Sequence, residues 1–318
     1  MTTALSPVLM IQSKRERAPG VPLPTGSNRG RTSGNLYNKK PAAGPHVHLF
    51  SLMECGILNE TSHVLTEKRT GCFMADSAEQ SHSWLHQRFL NARNRLQRRS
   101  ILNEQDIEAR FTKTYHLNYW GSVESRSGSG STAEATQQIR RMLPEVIKQF
   151  GVRRLFDAPC GDFNWMQLLR PSLDVDYTGG DIVRPMIEHL SQTHADARTR
   201  FVHFDITRSD FPDVDLWLCR DCLFHLSYAD ARRALEGFAR SSIPYVLMTT
   251  HLNDGQFVNR DISTGDYRSM DLFSAPYSLP RDVLFRFDDP TSARREMCLW
   301  SREQIVAALA AHSWPAAA

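Results

Sequence analysis

Apolar residues change their spacing three times along this chain. Over residues 1–80 they keep no period, and Pro, Gly, Ser and basic residues recur, as in Pro19-Gly20-Val21-Pro22 and Gly26-Ser27-Asn28-Arg29-Gly30. Such a stretch cannot bury enough apolar area to offset its ordering entropy, so a disordered or presequence-like tail is expected. From Ser81 to about Tyr115 the pattern turns helical. Trp84, Leu85, Phe89, Leu90 and Leu96 recur at helical spacings among Arg and Gln. Asn103 is placed to cap a second helix carrying Ile107 and Phe111 on one face. A Gly/Ser run from Gly121 to Ser131 interrupts the pattern and reads as a flexible linker. Ser131 or Thr132 then starts a helix through Ile139, Met142, Leu143, Val146, Ile147 and Phe150, closed by Gly151.

From Val152 short apolar runs alternate with amphipathic ones. Strands are predicted over Val152–Phe156, Val175–Thr178, Phe201–Phe204, Val214–Leu218 and Tyr245–Thr249. Helices are predicted over Asn164–Leu169, Arg184–Thr193 and Tyr228–Arg240, the last with Ala231, Leu235 and Phe238 on one face. This alternation implies parallel βαβ units in an open doubly wound sheet. After His251 a long polar and aromatic loop reaches Pro280. Val283–Phe287 and Met297–Trp300 then read as final antiparallel strands, and Ser301 caps a helix ending near Ala311. Three regions follow: a tail over 1–80, a helical extension with its Gly/Ser loop over 81–132, and a sheet domain over 133–312.

Charge sharpens the first boundary. Residues 1–50 hold seven Lys/Arg and one acid, a net of +6, which leaves −3 for the rest of a chain whose total is +3. The sheet domain therefore has no charge that demands a nucleic-acid partner. No apolar run approaches the roughly 18 residues needed to span a bilayer. The six cysteines form no dense disulfide framework. Cys219-x-x-Cys222 lacks the second pair or two histidines that a zinc site wants, so reduced thiols at a strand end are expected and no metal is. Reduced cysteines point to the cytoplasm, with organellar targeting by the basic segment as the alternative.

In such a sheet, ligands bind beyond the carboxyl ends of the strands. Asp157-Ala158-Pro159-Cys160-Gly161-Asp162-Phe163-Asn164-Trp165 follows the first strand, and its small residues let backbone approach a ligand. Gly179-Gly180-Asp181 follows the second, and an acid at this offset accepts hydrogen bonds from ribose hydroxyls. Asp205 follows the third, facing an adenine amino group. Arg220-Asp221 follows the fourth, with His225 beyond. A single acid after a strand is an ordinary cap or turn residue. Three at successive strand ends suggest a nucleotide-like cofactor. Neither G-x-G-x-x-G nor a P-loop is present, and Asp162 would repel a pyrophosphate. A phosphate-free, cationic cofactor fits better, and S-adenosylmethionine (SAM) is one, with Asp157 and Asp162 facing its charged methionine portion.

FDAPCGDFNWM (Phe156 to Met166) resembles the first motif of class I SAM-dependent methyltransferases, in particular a bacterial-type subgroup with D-x-P-C-G-D-F-N-W in that place. The likeness continues through WGSVESRSGSGS (Trp120 to Ser131), YTGGDIV (Tyr177 to Val183), LCRDCLFHLS (Leu218 to Ser227), MTTH (Met248 to His251), and NRDISTGDYRSMDL with the following PYSLP (Asn259 to Pro280). It covers about residues 110–305. Pro159 and Cys160 depart from the usual glycine-rich pattern. The resemblance implies a Rossmann-like, doubly wound seven-stranded sheet, mostly parallel with the last strand antiparallel, preceded by the helical extension. It implies a cofactor site of Asp157, Pro159, Cys160, Gly161, Asp162, Trp165, Asp181, Ile182, Asp205, Ile206 and Arg220.

Methyl transfer needs an aligned nucleophile and, where required, a base. The candidates are Asp221, His225 and His251, with a packed core histidine as the alternative for His225. Arg220 and Asp221 also suit a plain ion pair. Asn259 to Pro280, with Asp261, Asp266, Tyr267, Arg268, Asp271, Phe273 and Tyr277, is the expected substrate lid for a small polar or sugar-like acceptor. Trp120 and the Gly/Ser loop are expected to close over the cofactor from the other side. Rival readings are an NAD(P)-dependent oxidoreductase on a similar sheet and a non-catalytic binding protein that keeps the fold.

Overall fold

A computed structural model describes residues 76–291 and 294–311. The expected tail thus lies almost wholly outside the described residues, except that 76–80 are already helical. Helix α1 (Asp76–Leu102) leads into α2 (Ile107–His116). Asp106, not Asn103, caps α2, accepting a hydrogen bond from the Ala109 amide at 3.0 Å. Thr132 opens a turn through the Thr136 N–H to its carbonyl (3.1 Å), and regular α3 begins only at Gln137 (Gln137–Gln149). Gly151, at φ +63°, then reverses the chain into the first strand.

The remaining elements are β1 (Arg154–Asp157), α4 (Met166–Leu169), β2 (Asp176–Asp181), α5 (Arg184–Thr193), β3 (Thr199–His203), β4 (Leu216–Cys219), α6 (Tyr228–Arg240), β5 (Tyr245–His251), β6 (Phe285–Asp288), β7 (Arg295–Ser301) and α7 (Arg302–Ala311). The sheet order is β3-β2-β1-β4-β5-β7-β6. Pairs among β1 to β5 are parallel, and β7 runs antiparallel to both β5 and β6. Six strands therefore point one way and the last in sequence points the other, as expected.

Alternation along the strands makes the sheet the middle of three layers. On β4, Leu216 and Leu218 face one core with Leu155, Leu247 and Leu299, covered by Ile139, Leu143 and Val146 of α3 and Met186, Ile187 and Leu190 of α5. Trp217 and Cys219 face the other with Met248 and Trp300, covered by Ala231, Leu235 and Phe238 of α6 and Ile305 of α7. Strands buried on both faces explain the unbroken apolar runs in the sequence. Ser227 fixes the start of α6 by accepting from the Asp230 amide at 3.1 Å.

The chain runs outward from β1 to β3 and then returns to place β4 beside β1. Two neighbouring strands whose connections leave in opposite directions leave a crevice at their carboxyl ends. Asp157 ends β1, Asp181 ends β2, and Arg220 follows β4, so this topology gathers them at one edge.

Candidate active site

That crevice is a cavity of about 980 Å³, counting its open mouth. Asp157, Pro159, Cys160, Gly161, Trp165, Asp181, Ile182, Asp205, Ile206, Arg220, Asp221 and His225 all line it. Asp162 and His251 do not.

Asp157 is buried at the end of β1, where the Tyr177 hydroxyl donates to Oδ2 at 2.8 Å. Burial pushes its pKa up to about 7, against the opposing hydrogen bond from Tyr177. Asp181 sits at the end of β2. Its Oδ2 accepts from the Gly161 amide (3.1 Å) and its Oδ1 from the Val183 amide (3.0 Å). Burial raises its pKa to about 6, with these backbone donors pulling the other way. Gly161 adopts φ +56°, and a Cβ there would lie 2.3 Å from the Ser127 hydroxyl, so the close approach of the two loops requires glycine. Asp205 lines the cavity, but its Oδ1 is held by the Thr207 amide (2.8 Å) and hydroxyl (2.7 Å), a local cap at the end of β3.

Asp162 has a different task from the one expected of it. Its carboxylate accepts from the Ser125 hydroxyl (2.9 Å), the Arg126 amide (2.7 Å) and the Ser127 hydroxyl (3.2 Å). It ties the Gly/Ser loop to the segment after β1 and does not line the cavity. Residues 121–131 are accordingly no free linker: Ser125 and Ser131 are buried, and Trp120, Arg126, Ser127 and Ser131 line the cavity.

At the end of β4 lies a buried network of two arginines and two aspartates. Arg220 Nε donates to Asp289 Oδ2 (2.8 Å), Arg220 Nη1 lies 3.3 Å from Asp221 Oδ2, and Arg295 Nη1 lies 2.8 Å from Asp221 Oδ1. Asp221 holds φ +54°, a left-handed conformation secured by its amide donating to Thr249 Oγ1 at 2.9 Å. The expected Arg220–Asp221 pair is thus real, and it belongs to a larger ring. One buried nitrogen of Arg220, Nη2, finds no partner in the protein. Cys219 and Cys222 are buried free thiols beside the network, and Cys222 lines the cavity.

The two histidines separate cleanly. His225 Nδ1 lies 2.8 Å from the Asp266 carbonyl, which only accepts, so Nδ1 carries the proton. Burial lowers the His225 pKa, and the neutral ring keeps a bare lone pair at Nε2 on the cavity wall. His251 Nδ1 accepts from the Met270 amide (3.2 Å), and its Nε2 meets the Tyr267 hydroxyl (3.3 Å). Both nitrogens are engaged by the segment that follows β5, and His251 does not line the cavity.

The expected lid is also displaced. None of Asp261, Asp266, Tyr267, Arg268, Asp271, Phe273 and Tyr277 lines the cavity. Arg268, Met270, Leu272 and Tyr277 are buried in the structure behind it. The outer wall comes from α2 instead, through Ile107, Phe111 and Tyr115, which the sequence analysis did not assign to the site. Their four-residue spacing was the available signal: one helix face, read as core packing, faces the crevice. Glu108 ties this helix to Arg184 (3.4 Å) at the start of α5 and to His203 (3.1 Å) at the end of β3.

A family model described as a methyltransferase domain matches residues 156–244. Similar solved structures include human N-acetylserotonin methyltransferase in complex with SAM, at 14% identity and TM-score 0.40, covering 61% of this chain and 56% of that one. Others are Burkholderia thailandensis 1,6-didemethyltoxoflavin-N1-methyltransferase with S-adenosylhomocysteine (16% identity, 61% and 86% coverage, TM-score 0.46) and magnesium protoporphyrin IX methyltransferase from Synechocystis PCC 6803 (12%, 59% and 93%, 0.44). The chain spans little more than half the length of the human protein. No curated protein matches its sequence. The segment similar to a methyltransferase domain runs from the end of β1 past α6 and contains Asp157, Asp181, Asp205 and Arg220 of the crevice.

Proposed function

We propose that the crevice holds SAM across β1, β2 and β3 and passes its methyl group to a small-molecule acceptor at the β4 end. The observation that carries this reading is the meeting of two buried carboxylates, Asp157 and Asp181, with the Arg220 guanidinium on the lining of one cavity. Asp181 keeps lone pairs for ribose hydroxyls, while Gly161 and Val183 hold its orientation. Ile182, Phe204 and Ile206 offer an apolar slot for adenine, with Asp205 at its rim. Asp157 suits an ammonium and Arg220 a carboxylate, so the zwitterionic methionine end finds one group of each sign.

When bound, SAM would supply an electrophilic methyl group to the acceptor, and His225 Nε2 would take up the proton that the acceptor gives up. His225 suits this step because the Asp266 carbonyl fixes its tautomer and burial keeps it neutral. Trp120 and α2 close the outer side and exclude water.

Calorimetry with SAM on the native chain and on Asp181→Ala tests the site. A loss of at least about tenfold in affinity is expected, equal to about 1.4 kcal/mol. Unchanged affinity in the variant removes the ribose assignment.

A further inference from the structure

We propose that the acceptor is a planar aromatic molecule with one ionisable hydroxyl, gripped by the helical extension. The inference rests on the SAM reading above and concerns the other half of the same cavity. Once the ends of β1, β2 and β3 are given to the cofactor, what remains is walled by Tyr115, Trp120, Cys222 and Leu226 around His225. Trp120 and His225 lie with ring centroids 5.4 Å apart and planes inclined by 40°, so the base sits beside a broad flat indole.

A sugar or other polyol needs many hydrogen-bonding groups around it, and each one left unmet in a closed site is costly. The acids that suit such a molecule are used elsewhere. Asp261 Oδ1 accepts from the Tyr228 amide (2.7 Å) and the Ile262 amide (2.8 Å). The Asp266 carboxylate pairs with Arg98 of α1, with Nε at 3.0 Å. Asp271 accepts from the Phe273 amide (2.9 Å) and the Ser274 hydroxyl (2.6 Å). Both Asp221 oxygens face arginines, at 2.8 and 3.3 Å. On this wall His225 Nε2, the Tyr115 phenol and the Trp120 indole N–H are open, with the Cys222 thiol beside them and the Arg126 guanidinium at the mouth over Tyr115.

Flat apolar walls with a single basic lone pair match a molecule with flat apolar faces and a single acidic proton. Its hydroxyl loses that proton to His225 Nε2 and gains the methyl group on oxygen. Arg126 stacks its guanidinium over Tyr115 at 5.4 Å, which holds this wall upright at the mouth.

The test has two stages. Calorimetry first establishes that SAM binds; a protein that does not bind it fails the cofactor reading and this inference together. Protein saturated with S-adenosylhomocysteine is then titrated with 2-naphthol and, separately, with methyl α-glucopyranoside, read by saturation-transfer NMR. Naphthol is expected to bind and the glucoside not to. Trp120→Leu is expected to weaken naphthol at least tenfold while SAM affinity stays within twofold, with Trp120→Phe close to the native protein as a control for folding. If SAM binds but naphthol does not, if the glucoside binds as well or better, or if Trp120→Leu leaves naphthol binding intact, the aromatic acceptor is wrong.

Discussion

Two polar loops flank the sheet, and their roles invert what their compositions suggest. The run Gly121–Ser131 is short, rich in Gly and Ser, and looks like a linker. The segment between β5 and β6 is long, mixes acids with aromatics, and looks like a substrate lid. In the structure the short loop lines the cavity, pinned by Asp162, while the long loop spends its side chains on its own architecture. Asn259 Nδ2 donates to the Asp271 carbonyl (2.7 Å), Asp271 caps its own turn, and Arg268 donates to the Leu226 carbonyl (2.5 Å). The lesson is one of accounting. A polar side chain is available to a ligand only when the backbone around it leaves it unpaired. Composition reports which groups exist, and only the fold reports which remain free.

The long loop still reaches the chemistry at one point, the Asp266 carbonyl on His225, and the largest effect is expected there. His225→Ala is predicted to lower kcat about 100- to 10,000-fold, the usual worth of a positioned base. SAM affinity, read by calorimetry, is predicted to stay within about twofold, since the proposed cofactor residues lie at the ends of β1 to β3. Equal losses in kcat and in SAM affinity would mean that His225 is structural and that the long loop has no catalytic reach.

The short loop's side of the cavity has a pH signature. Asp157 and Asp181 are raised by burial to about 7 and about 6. A raised carboxyl pKa means that the folded state holds protons the unfolded state has released. The stability from each group is therefore complete below about pH 4 and is lost as pH rises through 6 to 7. Hydrogen bonding to ribose and pairing with an ammonium both favour the charged carboxylates. SAM affinity is predicted to rise about tenfold between pH 5.5 and 7.5, and the SAM-induced gain in Tm to be larger at the higher pH. A flat profile would show that neither carboxylate changes its charge on binding.

These contrasts also mark how far the sequence could be read. The limits of α5 and α6 coincide with those expected from periodicity, and each strand falls within a few residues of its apolar run. The acids at the ends of β1, β2 and β3 were legible because a parallel sheet gathers its strand ends whatever fills the layers around it. Three things were not. Ile107 and Phe111 repeat at helical spacing whether the face they share meets a core or a cavity. Asp162 finds its partners 35 to 37 residues earlier, a pairing that no local spacing encodes. His225 and His251 both follow strand ends, and what separates them is a carbonyl 41 residues away on one and an amide 19 residues away on the other.

Asp162→Ala sharpens the comparison from the side of the short loop. It removes the acceptor for four donors while leaving the sheet core untouched. SAM affinity is predicted to fall about tenfold, with faster proteolysis within 121–131 and a small change in Tm. Asp271→Ala in the long loop is predicted to do the reverse, costing about 1–3 kcal/mol of stability through its orphaned donors while SAM affinity holds. If both variants lost affinity alike, the division of labour between the loops would collapse.

The smallest expected effect is the most discriminating between the two histidines. His251 accepts from the Met270 amide and meets Tyr267, so His251→Asn keeps a polar group near that amide and takes nothing from the cavity. A change in kcat of less than about threefold is predicted, against the loss of several kcal/mol in transition-state stabilisation that accompanies removal of a working base. The pH–rate profile is predicted to keep its acidic limb in this variant if His225, whose pKa burial sets below the ordinary histidine value, is the base. Loss of the limb in His251→Asn would transfer the base to β5 and make the long loop the catalytic one.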